Sequence, residues 1–125
     1  MEITINDNRK IFAIQKEFSD MFPFLKLEFY SKPHKSGGAP STKPMKHISK
    51  TIAECRTIHS SGFITIQPQM TLGELEQGFR DVYGLSTQVF CKSGNEWQET
   101  TGTDDRTLEK QNEEGKELSK AEMVR

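Results

Sequence analysis

Cys55 and His59 have the spacing of two side chains that act together. They are four residues apart, so on a helix they share one face, where a thiol and an imidazole can form a nucleophile–base pair or bind a metal. A zinc site needs two further ligands, and His34, His47 and Cys91 have no spacing typical of zinc ligands. Cys55 lies on an apolar stripe, so a buried structural thiol is the simpler interpretation. A cysteine-dependent enzyme using Cys55 and His59 is therefore our third functional hypothesis, and the balance is against an enzyme.

Residues 31–50 form the most basic part of the chain. They contain no acidic residue and five lysines: Lys32, Lys35, Lys43, Lys46 and Lys50. A lysine-rich loop can contact phosphate groups with an affinity that falls as salt rises. However, the segment has no arginine to bind a base edge and no aromatic side chain to stack on a base. We interpret it first as a solubilising loop. Binding of nucleic acid or another polyanion through Lys32, Lys35, Lys43 and Lys46 is the second functional hypothesis.

No motif in the sequence indicates a cofactor or a metal ion. Residues 36–43 are rich in glycine and serine, but they lack the Gly-Lys-Ser/Thr ending of a phosphate-binding loop. Asp104, Asp105 and Glu109 are three carboxylates close together in the chain, which we interpret as cap and first-turn charges at the start of a helix. We therefore expect no cofactor and no bound metal.

Trp97 is the one tryptophan of the chain, and it lies in a predicted hairpin. Residues 88–92 and 95–100 flank Ser93-Gly94, which is typical of a tight turn. The second strand of such a hairpin can form an exposed sheet edge that accepts a strand from a partner. Our first functional hypothesis is accordingly a non-enzymatic interaction module that binds another protein through this edge, with Trp97 as the anchor. The oligomeric state stays open.

The strongest signal in the chain is an internal repeat at a spacing of 61 residues. Ile3-Thr4-Ile5 falls on Ile64-Thr65-Ile66, and Phe29 falls on Phe90 without a gap in between. The apolar positions 11, 14, 18 and 21 fall on 72, 75, 79 and 82, which is the same helical stripe twice. Any two amphipathic helices share such a stripe, but not its distance from the flanking strands. We therefore predict that a strand-helix-strand unit is duplicated.

The ends of the two predicted helices have different signals. The first helix should begin after Asn6-Asp7-Asn8 and end by Phe22, because Pro23 follows. The second should begin at Thr71, which forms a capping box with Glu74, and Gly84 should end it as a left-handed cap.

These elements predict an α+β fold. Two β-α-β units most simply form a ferredoxin-like antiparallel sheet with two helices on one face, followed by a C-terminal hairpin. A β-grasp (ubiquitin-like) fold is the alternative. We predict one domain over residues 1–100, with a flexible basic loop at 31–47 and a short helix or strand within 45–59. Residues 101–125 should be a polar helical or partly disordered extension.

Composition limits the class of protein. The 125 residues carry 17 basic and 18 acidic side chains, so the net charge is -1. No apolar run reaches the roughly 18 residues of a membrane-spanning helix, and the N-terminus has no signal-peptide pattern. Two cysteines fit a reduced protein. We expect a cytoplasmic protein that does not enter a membrane.

Three short segments carry a faint resemblance. Gln88-Val-Phe, Ser93–Trp97 and Thr103–Asn112 are similar to segments of small uncharacterised bacterial proteins. The resemblance covers at most the last third of the chain, and it implies no activity, ligand or catalytic residue.

Overall fold

The computed structural model describes residues 1–30, 51–55, 60–100 and 105–123. In this part the chain is α+β, with three α-helices and two antiparallel sheets. The strands are β1 (Glu2–Ile5), β2 (Leu25–Tyr30), β3 (Gly62–Thr65), β4 (Ser86–Ser93) and β5 (Glu96–Glu99). The helices are α1 (Ile11–Met21), α2 (Leu72–Tyr83) and α3 (Leu108–Met123), and Ile52–Cys55 form a 3-10 turn. Among the described residues, no helix is long and apolar enough to cross a membrane.

The strand order differs from the predicted ferredoxin-like sheet. That sheet would place β2 and β4 at opposite edges, whereas here they pair directly with each other. The strands form two sheets, with order β1-β3 and β2-β4-β5, and every pairing is antiparallel. Because residues 31–61 separate β2 from β3, no short connection forces these two strands to lie side by side. The hairpin of β4 and β5 is present, as predicted.

The gap-free repeat is wrong in β4, where the register shifts by one residue. Helix α1 begins at Ile11 and α2 at Leu72, which keeps the spacing of 61. In the sheet, however, Leu27 pairs with Val89, and both side chains are fully buried. The core-facing residues of both strands are odd-numbered, so the odd spacing of 61 cannot relate β2 to β4; they are Leu25, Leu27, Phe29, Thr87, Val89 and Cys91. Helix α2 has 12 residues and α1 has 11, which accounts for a shift of one residue. Since successive side chains of a strand point to opposite faces, this one-residue shift places Phe90 on the face opposite the core.

The ends of α2 have the predicted caps, whereas the start of α1 does not. At α2, Thr71 and Glu74 form the predicted capping box, and Gly84 ends the helix in the left-handed conformation with φ 64°. The predicted caps of α1 are wrong, since its N-cap is Lys10, which makes no side-chain capping bond. Instead the side chain of Asn6 accepts a bond from the Asn8 amide at 3.0 Å, which forms a turn before the helix.

The core is one cluster that joins both sheets and the helices. The buried rows of the two sheets contribute, and so do the apolar stripes of α1 and α2. Phe29 and Phe79 meet edge to face, with ring centroids 6.0 Å apart. The stripe of α2 ends differently from the prediction, because Val82 is 54% exposed and Tyr83 is buried in its place. The fully buried side chains of α1 and α2 are Ile11, Ile14, Phe18, Leu72, Leu75 and Phe79.

Helix α3 packs on the sheet although its sequence is polar. Leu108 at its first position is fully buried in the core. The amide of Phe24 donates to Oδ1 of Asn112 at 2.9 Å. The predicted caps of this helix were aspartates, but Thr107 Oγ1 accepts the bond from the Lys110 amide at 3.2 Å. Leu108 and contacts at small or polar side chains thus hold this helix against β4 and β2.

Gly115 makes the docking of α3 testable. A Cβ at this position would lie 2.9 Å from Phe24 Cβ and 3.0 Å from Cys91 Sγ, which is too close for carbon and sulfur. We expect Gly115→Ala to lower the free energy of unfolding by about 1–2 kcal/mol, since overpacking outweighs the helix propensity gained. Gly78→Ala is the matched control, because its new Cβ meets only the flexible Ile64 Cδ1 at 3.3 Å. Urea denaturation of both variants checks this, and equal stabilities would contradict the close packing.

Two isolated β-bridges lie outside the named strands. Lys10 pairs with Thr51, and 61 residues after Lys10, Thr71 pairs with Thr107. Ile52 follows Thr51 and Leu108 follows Thr107, and both of these side chains are fully buried. The amide of Ile52 donates to the Arg9 carbonyl at 2.8 Å, and the amide of Leu108 donates to the Met70 carbonyl at 2.9 Å. The same local arrangement therefore occurs twice, and the second side of each bridge lies outside the segments that the sequence repeat covered.

Candidate functional site

Strand β5 forms one edge of the three-stranded sheet. Among the described residues, no strand pairs with its far side, and all four of its residues are exposed. The hairpin turn consists of Gly94 and Asn95, one residue later than predicted, and Gly94 has φ 65°. A glycine with positive φ at the first turn position suits a two-residue hairpin, because it matches the twist of the strands. The turn therefore holds β5 in register along β4.

The backbone direction of β5 follows from hydrogen bonds around Val89. Its amide donates to Glu76 Oε2 at 3.2 Å, and its carbonyl accepts from Thr100 Oγ1 at 2.7 Å, so both groups point away from β2. Backbone groups of an antiparallel strand alternate between the two neighbours. Cys91 and Ser93 consequently bond to β5, through their partners Gln98 and Glu96.

The remaining two residues of β5 direct their backbone groups outward. Trp97 and Glu99 alternate with the residues that bond to β4, so their N–H and C=O groups point to the open edge. No backbone bond to these groups occurs within the described part of the chain. The edge therefore presents two donors and two acceptors at the spacing that an added strand needs.

The opposite edge of this sheet, at β2, is covered by side chains of α1. Gln15 Nε2 donates to the Leu27 carbonyl at 2.7 Å, and Ser19 Oγ donates to the Leu25 carbonyl at 3.2 Å. In the small sheet, the hydroxyl of Tyr83 donates to the Phe63 carbonyl at 2.7 Å. Side chains thus occupy carbonyls that would otherwise pair with another chain. At β5, the described residues supply no such cover.

Trp97 lies on the outer face of the β2-β4-β5 sheet beside two cations. The Nζ atoms of Lys26 and Lys92 lie 5.8 Å and 6.0 Å from the centroid of the Trp97 ring system. Both distances allow a cation–π attraction. Trp97 nevertheless keeps 38% of its surface exposed, and Phe90 on the same face is half-buried. An amphipathic ring is therefore held in a defined position at the open edge.

The charges at this edge are negative. Glu96 and Glu99 are exposed, and neither forms an ion pair within the described residues. The nearby Lys26 pairs instead with Glu28, at 3.1 Å. Since side chains alternate along a strand, Glu99 lies on the face of Trp97 and Glu96 lies on the other face.

A buried polar cluster fixes the end of β5 to β4. Glu76 of α2 is 6% exposed, Gln88 is 2% exposed and Thr100 is 4% exposed. Gln88 Nε2 donates to Thr100 Oγ1 at 3.2 Å and to the Val89 carbonyl at 3.2 Å. Thr100 follows β5, and these bonds attach it to Gln88 and Val89 of β4. This buried cluster therefore helps to hold β5 in place, and its side chains are not exposed to a binding partner.

Tyr30 at the end of β2 has a strongly shifted acidity. It is 2% exposed, and burial raises the pKa of its phenol far above the usual value, with the carboxylates of Glu99, Glu28 and Glu76 adding to the shift. The folded state therefore keeps a proton that the unfolded state loses above about pH 10. Tyr30 thus contributes fully to stability below that pH, and its contribution falls as the pH rises.

We expect this to appear as a difference between the wild type and Tyr30→Phe. Between about pH 9 and pH 11, the wild type should lose up to about 1.4 kcal/mol more per pH unit than the variant, because the variant has no phenol to ionise. Urea denaturation of both proteins at each pH measures the difference in their free energies of unfolding. The titration of the lysines is common to both proteins, so it cancels in this difference. Parallel pH profiles for the two proteins would show that Tyr30 ionises normally in the folded state.

The other sequence-predicted site residues are only partly described. Lys32, Lys35, Lys43 and Lys46 lie outside the described residues, and so does His59. Cys55 ends the 3-10 turn, and its side chain is not among those described. Asp104 is also outside, whereas Asp105 and Glu109 are exposed near the start of α3. In the described residues, no group of three or more histidine, cysteine or acidic side chains is placed to hold a metal.

Cys91 is a packing residue in the structure. It is a free cysteine, 5% exposed, and its Sγ lies 3.5 Å from the carbonyl oxygen of Gln111. Burial raises the pKa of the Cys91 thiol, which disfavours the reactive thiolate.

Sequence reasoning missed the residues that cover or support the edges. Gln15 and Glu76 are 61 residues apart, so they occupy equivalent positions in the two helices. Gln15 binds the backbone of Leu27, and Glu76 binds the backbone of Val89. Leu27 and Val89 are paired with each other across β2 and β4. A polar residue at the same helical position in both halves was the available signal.

Comparison with known protein families, with curated proteins and with solved structures finds no match for this chain.

Proposed function

We propose that this protein is a non-enzymatic interaction module that binds a segment of another protein as an added strand on β5. The observation that carries the proposal is the contrast between the two edges of one sheet. Gln15 and Ser19 occupy the carbonyls of β2, whereas the outward groups of Trp97 and Glu99 on β5 have no partner in the described residues. An added strand would satisfy these groups and cover Trp97.

Selection of peptides from a random library tests this proposal. Ten-residue linear peptides displayed on phage would be selected on the immobilised full-length protein, and the best binders would be synthesised. We expect their NMR titrations to shift the amide resonances of Trp97 and Glu99 most strongly. The fluorescence of Trp97 should change in parallel, since the chain has no other tryptophan. Shifts centred on another surface, or the absence of any binder, would contradict the proposal.

Trp97→Ala should weaken binding of the selected peptides by about tenfold or more. Aromatic anchors at the centre of an interface commonly contribute about 2 kcal/mol or more when they become covered, and every 1.4 kcal/mol is about tenfold in Kd. The circular dichroism spectrum should stay unchanged, because Trp97 is exposed and lies outside the buried core. Trp97→Phe is the matched control and should retain most of the affinity. Loss of folded structure in Trp97→Ala would instead assign Trp97 to the core.

A duplicated β-α-β unit is part of the same proposal. The helices begin 61 residues apart, Ile3 pairs with its counterpart Ile64, and the two isolated bridges match. In this interpretation each half consists of a strand, a helix, a second strand, a variable segment and a pair of residues that packs back on the unit. These pairs are Thr51-Ile52 and Thr107-Leu108. Strand β5 follows the strand-helix-strand unit of the second half, so it belongs to the variable segment of that half.

The two other hypotheses remain predictions. Polyanion binding depends on Lys32, Lys35, Lys43 and Lys46, and a cysteine-dependent reaction depends on Cys55 and His59. None of the described contacts favours either of them. We place the interaction in the cytoplasm, where two reduced cysteines are expected.

A further inference from the structure

The chemistry of the partner can be inferred from the side chains along β5, given the proposed strand addition. Trp97 and Glu99 lie on the outer face of the sheet, and Glu96 and Gln98 lie on the opposite face. In an antiparallel added strand, four consecutive residues would lie opposite Glu99, Gln98, Trp97 and Glu96 in that order. Each face of the added strand would therefore meet one carboxylate.

Within the part of the chain that the structure describes, both carboxylates of β5 lack an ion-pair partner. Glu96 and Glu99 are exposed and form no ion pair among the described residues. Two cations of the outer face make other contacts, since Lys26 pairs with Glu28 and both Lys26 and Lys92 lie over Trp97. Opposite charges directly across two strands attract, and like charges repel. A partner residue opposite either glutamate is therefore favoured when it is basic.

We propose that β5 binds an extended basic segment with the pattern Lys/Arg, any residue, an apolar residue, Lys/Arg, in the direction from N- to C-terminus. The first basic side chain lies opposite Glu99, and the last lies opposite Glu96. The apolar side chain lies opposite Trp97 and covers the exposed part of its ring. The pattern is that of an antiparallel strand, which is the orientation of every pairing in both sheets.

A second copy of this chain does not fit the same edge. Its own β5 has the sequence Glu96-Trp-Gln-Glu99, which brings two more carboxylates and no cation. Four negative charges would then lie along one pair of short strands. The charge of the edge thus favours a different chain of opposite sign over self-association.

Inversion of the charge on the protein tests the pattern. Peptide selection would be run in parallel on the wild type and on the double variant Glu96→Lys/Glu99→Lys, with the Glu96→Gln/Glu99→Gln protein as the neutral control. We expect basic residues three apart in the wild-type binders and acidic residues at those positions in the binders of the lysine variant. A wild-type binder should bind the glutamine variant about two- to tenfold more weakly, because two exposed ion pairs are lost. This difference should shrink at high salt.

The outcomes separate this inference from the proposed function. Binders that still map to positions 97 and 99 of β5 but have the same composition on all three proteins would overturn the basic pattern and leave strand addition intact. Self-association of the wild type through β5, seen by sedimentation and reduced by the lysine variant, would also overturn it. Binders that map away from β5 on all three proteins would contradict the proposed function itself.

Discussion

Glu99→Pro is expected to weaken the binding of the library peptides selected for β5 by more than about tenfold, while the protein stays folded. Proline removes the outward N–H of residue 99, and its ring occupies space that an added strand needs. The fold should tolerate it, because proline is accepted on an edge strand when its missing N–H faces solvent. Glu99 bonds to no residue of β4 through that amide, since its partner Phe90 directs its backbone groups to β2. Peptide titration followed by Trp97 fluorescence measures the loss.

Two neighbouring variants make this prediction specific. Glu99→Thr removes the same carboxylate and keeps the N–H, so any additional loss in Glu99→Pro reports on the main chain. Gln98→Pro removes an amide that bonds to Cys91, and it should destabilise the hairpin by about 1–3 kcal/mol. Equal affinities of Glu99→Pro and Glu99→Thr for the peptides would show that no strand is added at β5.

Glu76→Ala should lower the free energy of unfolding by about 3 kcal/mol. The variant leaves the Val89 amide buried without its carboxylate acceptor and also removes the buried Cγ methylene of Glu76. Val89 lies where β4 leaves the hairpin, so the loss should also loosen the attachment of Thr100 behind β5. Urea denaturation measures the stability, and peptide affinity should fall together with it.

Glu76→Gln and Gln15→Ala are the controls for this prediction. The glutamine keeps an oxygen that can accept from Val89, so it should cost less than the alanine. Gln15→Ala removes the equivalent contact in the first half, a neutral bond from a half-buried side chain, and should cost about 1 kcal/mol. If Gln15→Ala and Glu76→Ala were equally mild, the buried carboxylate would have no special role in holding β4.

The local elements could be predicted from the sequence, because their signals lie within a few residues. The Thr71–Glu74 capping box and Gly84 occur as expected, and the predicted hairpin occurs with its turn one residue later. The strand order could not be predicted in the same way. The alternation of Leu25, Leu27 and Phe29 shows which face of β2 is buried, but it is the same whichever strand pairs with β2.

The register of β4 shows why a repeat seen in sequence can mislead. Phe29 and Phe90 are identical residues at the common spacing, so a gap-free comparison matched them. Helix α2 is one residue longer than α1, and this residue moves every side chain of β4 to the other face. Thr87, Val89 and Cys91 are therefore the core-facing residues, and two of these three are residue types that an apolar pattern does not emphasise.

The candidate site was only half visible in the sequence. Trp97 and the hairpin strand were identified, because a lone tryptophan between turn signals stands out. The covering of β2 by Gln15 and Ser19 depends on how α1 lies against the sheet, which no local pattern specifies. The difference between a covered and an open edge, on which the proposed function depends, is thus a property of the folded chain.

Amide hydrogen exchange of β5, measured by NMR with and without a selected peptide, tests the central claim most directly. In the free protein, the amides of Glu96 and Gln98 should exchange slowly and those of Trp97 and Glu99 rapidly. With saturating peptide, the exchange of Trp97 and Glu99 should slow by at least about tenfold, while the other two amides stay as they were. Slow exchange of Trp97 and Glu99 before any peptide is added, or rates that the peptide leaves unchanged, would contradict an open edge that accepts a strand.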